Sequence, residues 1–230
     1  FAENGVKELV IVAQDVTAYG IDLYKKYALP DLLKQLCKID GIKWIRLLYC
    51  YPERMTDELI ETIKTEDKVL NYIDIPIQHC NKEILRNMYR GGDEQSLREL
   101  FAKLRREIPG VVLRTTLITG FPGETEEHFE HLREFIEEVR FQHLGVFAYR
   151  AEEGTPAAAM PDQVEDRVKE WRRDLLMEAQ ADISAEWLSR FEGDRLSILV
   201  DAPHPEWPGL HTGRAWFQAP EIDGMVSVSY

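Results

Sequence analysis

The chain has 230 residues, of which 44% are hydrophobic and 30% are charged, a balance typical of a globular protein with a substantial core. Its 28 Lys and Arg stand against 41 Asp and Glu, and the resulting net charge of −13 repels phosphate backbones and favours basic partners. No apolar run approaches the ~18 residues of a membrane span, and the N-terminus lacks a signal-peptide pattern. The composition therefore predicts a cytoplasmic protein with no membrane partner.

Strands and helices are predicted to alternate along residues 1–161. Apolar or β-branched runs bounded by turn residues predict five strands, at residues 9–13, 44–50, 72–77, 111–118 and 144–149. Capping residues before amphipathic stretches predict helices at residues 32–39, 57–65, 95–108 and 126–139. This repeat is typical of a parallel (β/α) barrel or a doubly wound sheet, in which the loops after the strands carry the chemistry.

The sequence pattern changes beyond Pro161. Residues 163–190 predict one long amphipathic helix with Trp171 and Trp187 as aromatic anchors. Short runs at residues 196–200, 214–217 and 225–230 then predict a small antiparallel β module. From Gly193 onwards, the charged residues are two basic and five acidic ones, Arg195, Arg214, Asp194, Asp201, Glu206, Glu221 and Asp223.

The segment after the fourth predicted strand is the most informative one. Residues 113–127 read LRTTLITGFPGETEE, so that an apolar strand breaks into a glycine turn and then opens an acidic helix. Such a turn brings backbone N–H groups and a helix N-terminus to a sheet edge where ligands bind. A turn with Gly120, Pro122 and Gly123 is equally typical of a connection between a strand and a helix that binds no ligand.

Arg114 is distinctive because it lies inside the apolar run of this strand, where a cation is costly unless it is paired. An inward Arg114 would bind a carboxylate or a phosphate. An outward Arg114 would be an ordinary charge at a strand end. The sequence leaves both orientations open.

The three cysteines, Cys37, Cys50 and Cys80, lie far apart in the sequence. Their odd number argues against a disulfide framework, and no CxxC-type metal spacing occurs. We therefore predict buried apolar cysteines and no metal site.

Five segments of the chain resemble, in order, radical S-adenosylmethionine methylthiotransferases. They are AQDVTAYGID, YIDIPIQH, LRTTLITGFPGETEEHF, YRAEEGTPAAAMPDQV and APEIDGMVSV. Within the family, QDVTAYG resembles the RimO type, since the tRNA-modifying MiaB type usually has QNVNAYG. The resemblance implies methylthiolation of the β-carbon of an aspartate in small-subunit ribosomal protein S-twelve, a basic protein partner.

The resemblance also implies the architecture of an α/β protein. Residues 1–161 are expected to form a partial parallel (β/α) barrel of the radical SAM type, without the first strand and the cluster loop of the family. Residues 162–192 are expected to form a connecting amphipathic helix. Residues 193–230 are expected to form an incomplete TRAM-like antiparallel β domain.

The cofactors that the resemblance implies are S-adenosylmethionine and two four-iron four-sulfur clusters in the full-length parent. The CxxxCxxC loop that binds one of these clusters in the family does not occur in this sequence. Residues 1–12 resemble the helix and strand that follow that loop. We therefore expect a fragment without cluster ligands that is inactive by itself.

Binding roles for individual residues follow from the same resemblance. Gln14 and Asp15 lie where the family contacts the methionine amino group, Arg114 faces the carboxylate or ribose, and Gln78 lies near the ribose. No residue is expected to act as a catalytic acid or base, because the adenosyl radical abstracts the hydrogen. The residues expected beside the adenine are Ile118, Gly120, Phe147 and Tyr149.

Three functional hypotheses follow from the sequence. The first is the RimO type, with Glu221 and Asp223 contacting the basic ribosomal protein. The second is a tRNA adenosine methylthiotransferase of the MiaB type, which needs a basic C-terminal surface that this composition does not provide. The third is a non-radical phosphate-binding barrel protein or a simple binding module.

Overall fold

The computed structural model describes residues 1–229, and its larger β-sheet has five strands. They follow one another in the order of the sequence, and every neighbouring pair is parallel. This order is typical of a barrel wall, whereas the strand order of a doubly wound sheet reverses near its middle. The predicted α/β class is confirmed, and the strands are β1 (Glu8–Ile11), β2 (Trp44–Leu47), β3 (Val69–Asp74), β4 (Val112–Thr119) and β5 (His143–Ala148).

Strand β3 begins and ends earlier than residues 72–77, the range predicted for it. Pro76 has no N–H to donate to a β-ladder, so regular pairing stops at Asp74. The chain returns to the sheet through a single parallel bridge between Gln78 and Leu117. The break gives the end of β3 an irregular loop.

Seven α-helices lie within residues 1–229. Two of them, α3 and α6, have the bounds that the sequence predicts, because Thr56 and Thr125 accept hydrogen bonds from backbone N–H groups in their first turns. Helix α2 begins at residue 29, before the predicted residue 32, and Pro30 lies inside its first turn. The helices are α1 (Ile21–Tyr24), α2 (Leu29–Leu36), α3 (Asp57–Thr65), α4 (Lys82–Asn87), α5 (Glu94–Glu107), α6 (Glu126–Val139) and α7 (Asp166–Ser189). Short 3-10 helices lie at Ala2–Asn4, Val16–Ala18, Pro52–Arg54 and Ala157–Ala159.

None of the helices in the described part of the chain combines the length and the apolar character needed to cross a membrane.

The two faces of the five-stranded sheet have different neighbours. Side chains of one face, such as Leu47, Ile73 and Leu113, lie in the main hydrophobic core with the helices. Side chains of the other face, such as Tyr72 and Val112, belong to a second apolar cluster. Successive residues of a strand point to opposite faces, so β3 and β4 each contribute to both clusters.

The C-terminal module, residues 193–229, contains a three-stranded antiparallel sheet in the order β6-β7-β8. The predicted antiparallel module is confirmed, although β7 ends before residue 217. Ala215, Phe217 and Ala219 of the module pack in the second apolar cluster, so the module covers part of the inner face of the barrel wall. The strands are β6 (Ile198–Pro203), β7 (Leu210–Ala215) and β8 (Val226–Ser229); Tyr230, the end of the last predicted strand, lies outside the described residues.

Candidate cofactor and ligand site

A cavity of about 560 Å³ lies beyond the carboxyl ends of β1, β2 and β3. Barrel proteins bind their ligands at this edge, and small-molecule sites have volumes of roughly 300–1,000 Å³. A second cavity of about 380 Å³ shares Gln78 and Arg90 with the first. We name the first the cofactor cavity; its lining residues are Ala13, Gln14, Tyr49, Tyr51, Pro76, Gln78, Arg90 and Thr116.

Two lining residues of the cofactor cavity have left-handed backbone conformations, which are uncommon for residues other than glycine. They are Tyr49, with φ of 59°, and Gln78, with φ of 69°. The Tyr49 N–H donates to the Asp74 carboxylate over 2.9 Å, and the Gln78 N–H donates to the Thr116 carbonyl over 2.9 Å. Backbone strain at a cavity edge persists where surrounding contacts impose it, so these walls of the cavity are preorganised.

The structure brings together, at the two cavities, four of the eight residues that the sequence assigns to the cofactor. Gln14 and Gln78 line the cofactor cavity, and Gln78, Ile118 and Tyr149 line the second one. Phe147 is paired in register with Ile118 and is 62% exposed.

Asp15 lies next to Gln14 but has protein partners for its carboxylate. It caps the 3-10 helix after β1 by accepting the Thr17 N–H over 3.0 Å, and it forms an ion pair with Arg54. Its carboxylate is 13% exposed. The structure therefore gives Asp15 a role in shaping the loop beside the cavity.

Gly120 makes room for helix α7 rather than for an adenine ring. Its φ is 70°, and a Cβ atom at this position would overlap with Cγ and Cβ of Lys169. The Gly120 N–H also donates to the Glu124 carboxylate over 2.9 Å. The sequence resemblance places Gly120 beside the adenine, whereas in the structure the position that its Cβ atom would take is occupied by Lys169 of α7.

Replacing Gly120 with alanine is expected to lower the free energy of unfolding by about 2–4 kcal/mol, the sum of the left-handed backbone penalty and the overlap with Lys169. Gly123→Ala is the matched control, since Gly123 has φ of 86° but no atom within 4 Å of the position that a Cβ would take. It therefore carries the backbone penalty alone. Equal losses for the two variants in urea unfolding would contradict the packing role of Gly120.

Arg114 faces the inner side of the barrel wall and is paired with carboxylates of the protein. Its Nη1 atom lies 2.8 Å from Oδ1 of Asp74, and its Nε atom lies 3.5 Å from Oδ1 of Asp223. Burial lowers the pKa of Arg114, but the attraction and the hydrogen bond of Asp74, together with the attraction of Tyr72 and Asp223, outweigh burial and raise the pKa above its ordinary value. Of the two orientations that the sequence leaves open, the structure has the inward one. The carboxylates that Arg114 binds belong to β3 and the C-terminal module.

Asp223 lies at the centre of the contact between the C-terminal module and the sheet. Its Oδ2 atom accepts hydrogen bonds from Tyr72 Oη over 2.5 Å and from the Ala219 N–H over 2.9 Å. Its Oδ1 atom lies 3.6 Å from Nδ1 of His143, and its side chain is 3% exposed. This burial disagrees with the expectation that Asp223 contacts a protein substrate. Glu221, two residues earlier, is exposed and keeps that expectation open.

A second buried ion network joins the module to β1 and β2. Arg46, which is fully buried, donates from Nε to Glu8 over 2.8 Å, and its guanidinium lies 4.4 Å from the Tyr72 ring centroid. Arg214 of β7 lies 2.6 Å from Glu8 and makes two hydrogen bonds with Asp201, over 2.8 and 2.9 Å. Arg214 and Asp201 therefore stabilise the contact between the module and the sheet. The acidic surface of the module depends on its other charged residues.

The pKa of His143 is lowered, because burial outweighs the attraction of Asp223, and Arg114 and Arg46 add repulsion. Folding thus favours the neutral form of His143, whereas the unfolded chain takes up a proton at this residue near pH 6.5. Its contribution to stability is complete above that pH and is lost as the pH falls through the lowered value.

The wild type is expected to have a higher free energy of unfolding than His143→Gln. We expect this difference, measured by urea unfolding, to shrink as the pH falls from about 6.5 to about 5. Glutamine can still donate to the Phe217 carbonyl, which His143 Nε2 contacts at 2.8 Å. An advantage that is constant or grows over this interval would show that His143 is not the titrating group.

Glu124, the last residue of the GFPGE turn, is a buried carboxylate that the sequence analysis does not single out. Its Oε1 atom accepts from Gly120 N–H over 2.9 Å and from Arg172 Nη1 over 2.7 Å. Its Oε2 atom lies 3.5 Å from Nε2 of His79, and both side chains are fully buried. Arg172 belongs to α7, so Glu124 fastens the glycine turn to that helix. An acidic residue directly after a glycine turn is the signal that points to such a contact.

The cysteines are protonated thiols in the folded chain. Burial raises the pKa of Cys80 to about 12 and that of Cys37 to about 11, and it raises the pKa of Cys50 as well. Within residues 1–229, no group of three or more His, Cys, Asp or Glu side chains is arranged to hold a metal ion.

Comparisons with known proteins identify the family of the barrel wall. The profile of the Radical SAM superfamily matches residues 1–136, which include β1 to β4. The archaeal Methanocaldococcus infernus Elp3 with an N-terminal deletion has a TM-score of 0.51 and 12% identity, over 90% of this chain and 64% of that chain. This second likeness concerns the fold alone.

Curated relatives match nearly the whole chain. "Ribosomal protein uS12 methylthiotransferase RimO" of Nitratidesulfovibrio vulgaris (strain DP4) is 56% identical over 98% of this chain and 53% of the relative. The protein of the same name from Lawsonia intracellularis (strain PHE/MN1-00) is 53% identical over 99% of this chain and 52% of the relative. The chain spans about half the length of these relatives. With a parallel barrel wall, a cavity at its carboxyl edge and a matching family profile, this chain belongs to the Radical SAM superfamily.

Proposed function

We propose that the protein containing this chain is a methylthiotransferase that modifies the β-carbon of an aspartate in small-subunit ribosomal protein uS12. The observation that carries the proposal is the identity of 56% and 53%, over 98% and 99% of the chain, to relatives named for that activity. The chain covers 53% and 52% of those relatives, so the activity is proposed for the whole protein.

In this proposal S-adenosylmethionine binds in the cofactor cavity. The amides of Gln14 and Gln78 can donate to and accept from the amino acid part and the ribose, and the ring of Tyr49 offers an apolar face to the nucleoside. Ile118, which lines the second cavity, extends the apolar surface. The volume and the lining of the cofactor cavity both fit a ligand of this kind.

Arg114 contributes to this site through Asp74 rather than by direct contact. Asp74 accepts hydrogen bonds from Arg114 Nη1 over 2.8 Å and from Tyr49 N–H over 2.9 Å. Arg114 thereby holds the carboxylate that fixes the left-handed Tyr49 at the cavity wall. Arg114 is a positioning residue in this proposal.

The iron–sulfur chemistry, with two four-iron four-sulfur clusters, is proposed for the whole protein. A bound cluster supplies the electron that S-adenosylmethionine cleavage requires. The part proposed for this chain is to bind and orient S-adenosylmethionine.

A basic ribosomal protein is the partner that the charge of the chain favours. The net charge of −13 steers a basic protein towards the surface, and it opposes binding of tRNA phosphates. Association of the whole protein with uS12 should weaken as salt rises. Charge reversal at the exposed Glu221 should slow that association if the residue lies on the docking face.

Calorimetry with S-adenosylmethionine tests the cofactor part of the proposal. We expect saturable binding to the whole protein, and Gln14→Ala should weaken it by about 0.5–1.5 kcal/mol, the contribution of a neutral hydrogen bond. Gln95→Ala is the matched control, because Gln95 is an exposed residue of helix α5 and donates a hydrogen bond to Glu99. Absence of binding to the whole protein would contradict the proposal.

A further inference from the structure

Arg90 lies where three cavities meet. It lines the cofactor cavity together with Tyr51 and Pro76. It also lines the second cavity and a third one, of about 520 Å³, that reaches the surface at Arg86. A ligand that enters from solvent through the second or the third cavity therefore contacts Arg90 before it reaches the cofactor cavity.

The Arg90 guanidinium is held in place by neutral groups. Its Nη1 atom donates to the Pro76 carbonyl over 3.2 Å, and its Cζ atom lies 4.9 Å from the Tyr51 ring centroid. Arg54 lies 5.2 Å from the same ring and is neutralised by Asp15. Among residues 1–229, no Asp or Glu forms an ion pair with Arg90, so its charge and its other N–H donors remain available.

An oriented guanidinium with free donors is suited to a planar anion, which it can bind through two parallel hydrogen bonds. The chain carries a net charge of −13 and repels anions elsewhere. Arg90 is the one Lys or Arg among the described residues that line the cofactor cavity, so we expect a carboxylate to bind there.

We propose that Arg90 binds the side-chain carboxylate of the aspartate in the protein substrate. This inference rests on the proposed function. The β-carbon of an aspartate is directly bonded to that carboxylate carbon, so a carboxylate held at Arg90 brings the β-carbon to the border of the cofactor cavity. The side-chain amide of an asparagine lacks the charge that this site recognises. Arg90 is thus a residue that determines specificity.

A double-mutant cycle tests the inference. Two labelled peptides of uS12, one with the target aspartate and one with asparagine in its place, are titrated into the whole protein with saturating S-adenosylmethionine. Arg90→Met is expected to weaken binding of the aspartate peptide about tenfold or more and to leave the asparagine peptide nearly unchanged. Arg90→Lys keeps the charge and should restore part of the discrimination.

Arg86→Met is the matched control. Arg86 is exposed, lies 3.9 Å from Glu83 and lines the third cavity without lining the cofactor cavity. It should change the binding of both peptides by the same small factor. Discrimination between the peptides that is unchanged in Arg90→Met would overturn the inference.

Calorimetry with S-adenosylmethionine separates the two levels of the proposal. If Arg90→Met loses affinity for S-adenosylmethionine while peptide discrimination persists, Arg90 holds the cofactor carboxylate and the inference is wrong. If the wild type binds S-adenosylmethionine but neither peptide, the inference is contradicted and the cofactor site stands. If the wild type binds no S-adenosylmethionine, the proposed function itself fails.

Discussion

Replacing Asp223 with alanine is expected to lower the free energy of unfolding by about 3–5 kcal/mol, the cost of breaking a buried ion pair from one side. The change removes the acceptor of Tyr72 Oη and of the Ala219 N–H, and it leaves Arg114 with Asp74 as its remaining carboxylate. Urea unfolding at pH 7 measures the loss.

Glu221→Ala is the control for this prediction, because Glu221 is an exposed carboxylate of the same segment. Exposed substitutions of this kind usually change stability by less than about 0.5 kcal/mol. A loss for Asp223→Ala as small as that of the control would show that the buried carboxylate does not fasten the C-terminal module to the sheet.

Replacing Glu124 with alanine is expected to cost a similar amount, about 3–5 kcal/mol. Arg172 keeps Glu126 as a partner at 2.9 Å but loses its buried contact, and the Gly120 N–H is left without its acceptor. Both the glycine turn after β4 and helix α7 should loosen. The free energy of unfolding from urea titration measures the effect.

Glu127→Ala provides the comparison, since Glu127 lies in the first turn of the same helix, α6, and is exposed. Glu124→Gln keeps an oxygen for the Gly120 N–H and should lose less than Glu124→Ala. If Glu124→Ala and Glu127→Ala have the same midpoint of urea unfolding, contacts other than those of Glu124 hold the glycine turn after β4.

The local elements of the barrel wall are predictable from the sequence because their signals are local. Thr56 and Thr125 mark the beginnings of α3 and α6, and the spacing of apolar residues predicts how far the helices extend. Helices α1 and α4 have four and six residues, too few for a periodic pattern, and they escape prediction. The shift of β3 has its cause in Pro76, whose missing N–H ends the ladder.

The candidate site is predictable in part for the same reason. Gln14 and Gln78 follow predicted strands, so their meeting at one cavity is a consequence of parallel topology. The partners of Arg114 could not be predicted, because Asp74 and Asp223 lie far from it in the sequence and are brought close by tertiary packing. The number of charged residues does not reveal which of them are exposed. On the sequence alone, Arg214 and Asp223 are counted as part of the module's surface charge, but both side chains are buried.

The most direct test of the proposed function uses the whole protein, reconstituted with iron and sulfide under anaerobic conditions and incubated with uS12, S-adenosylmethionine and a reductant. Mass spectrometry of the digested ribosomal protein should show one added methylthio group, located on an aspartate. The 230-residue chain tested alone should leave S-adenosylmethionine intact, because its sequence contains no CxxxCxxC motif. Unmodified uS12 together with methylthiolated adenosine in tRNA would contradict the proposal.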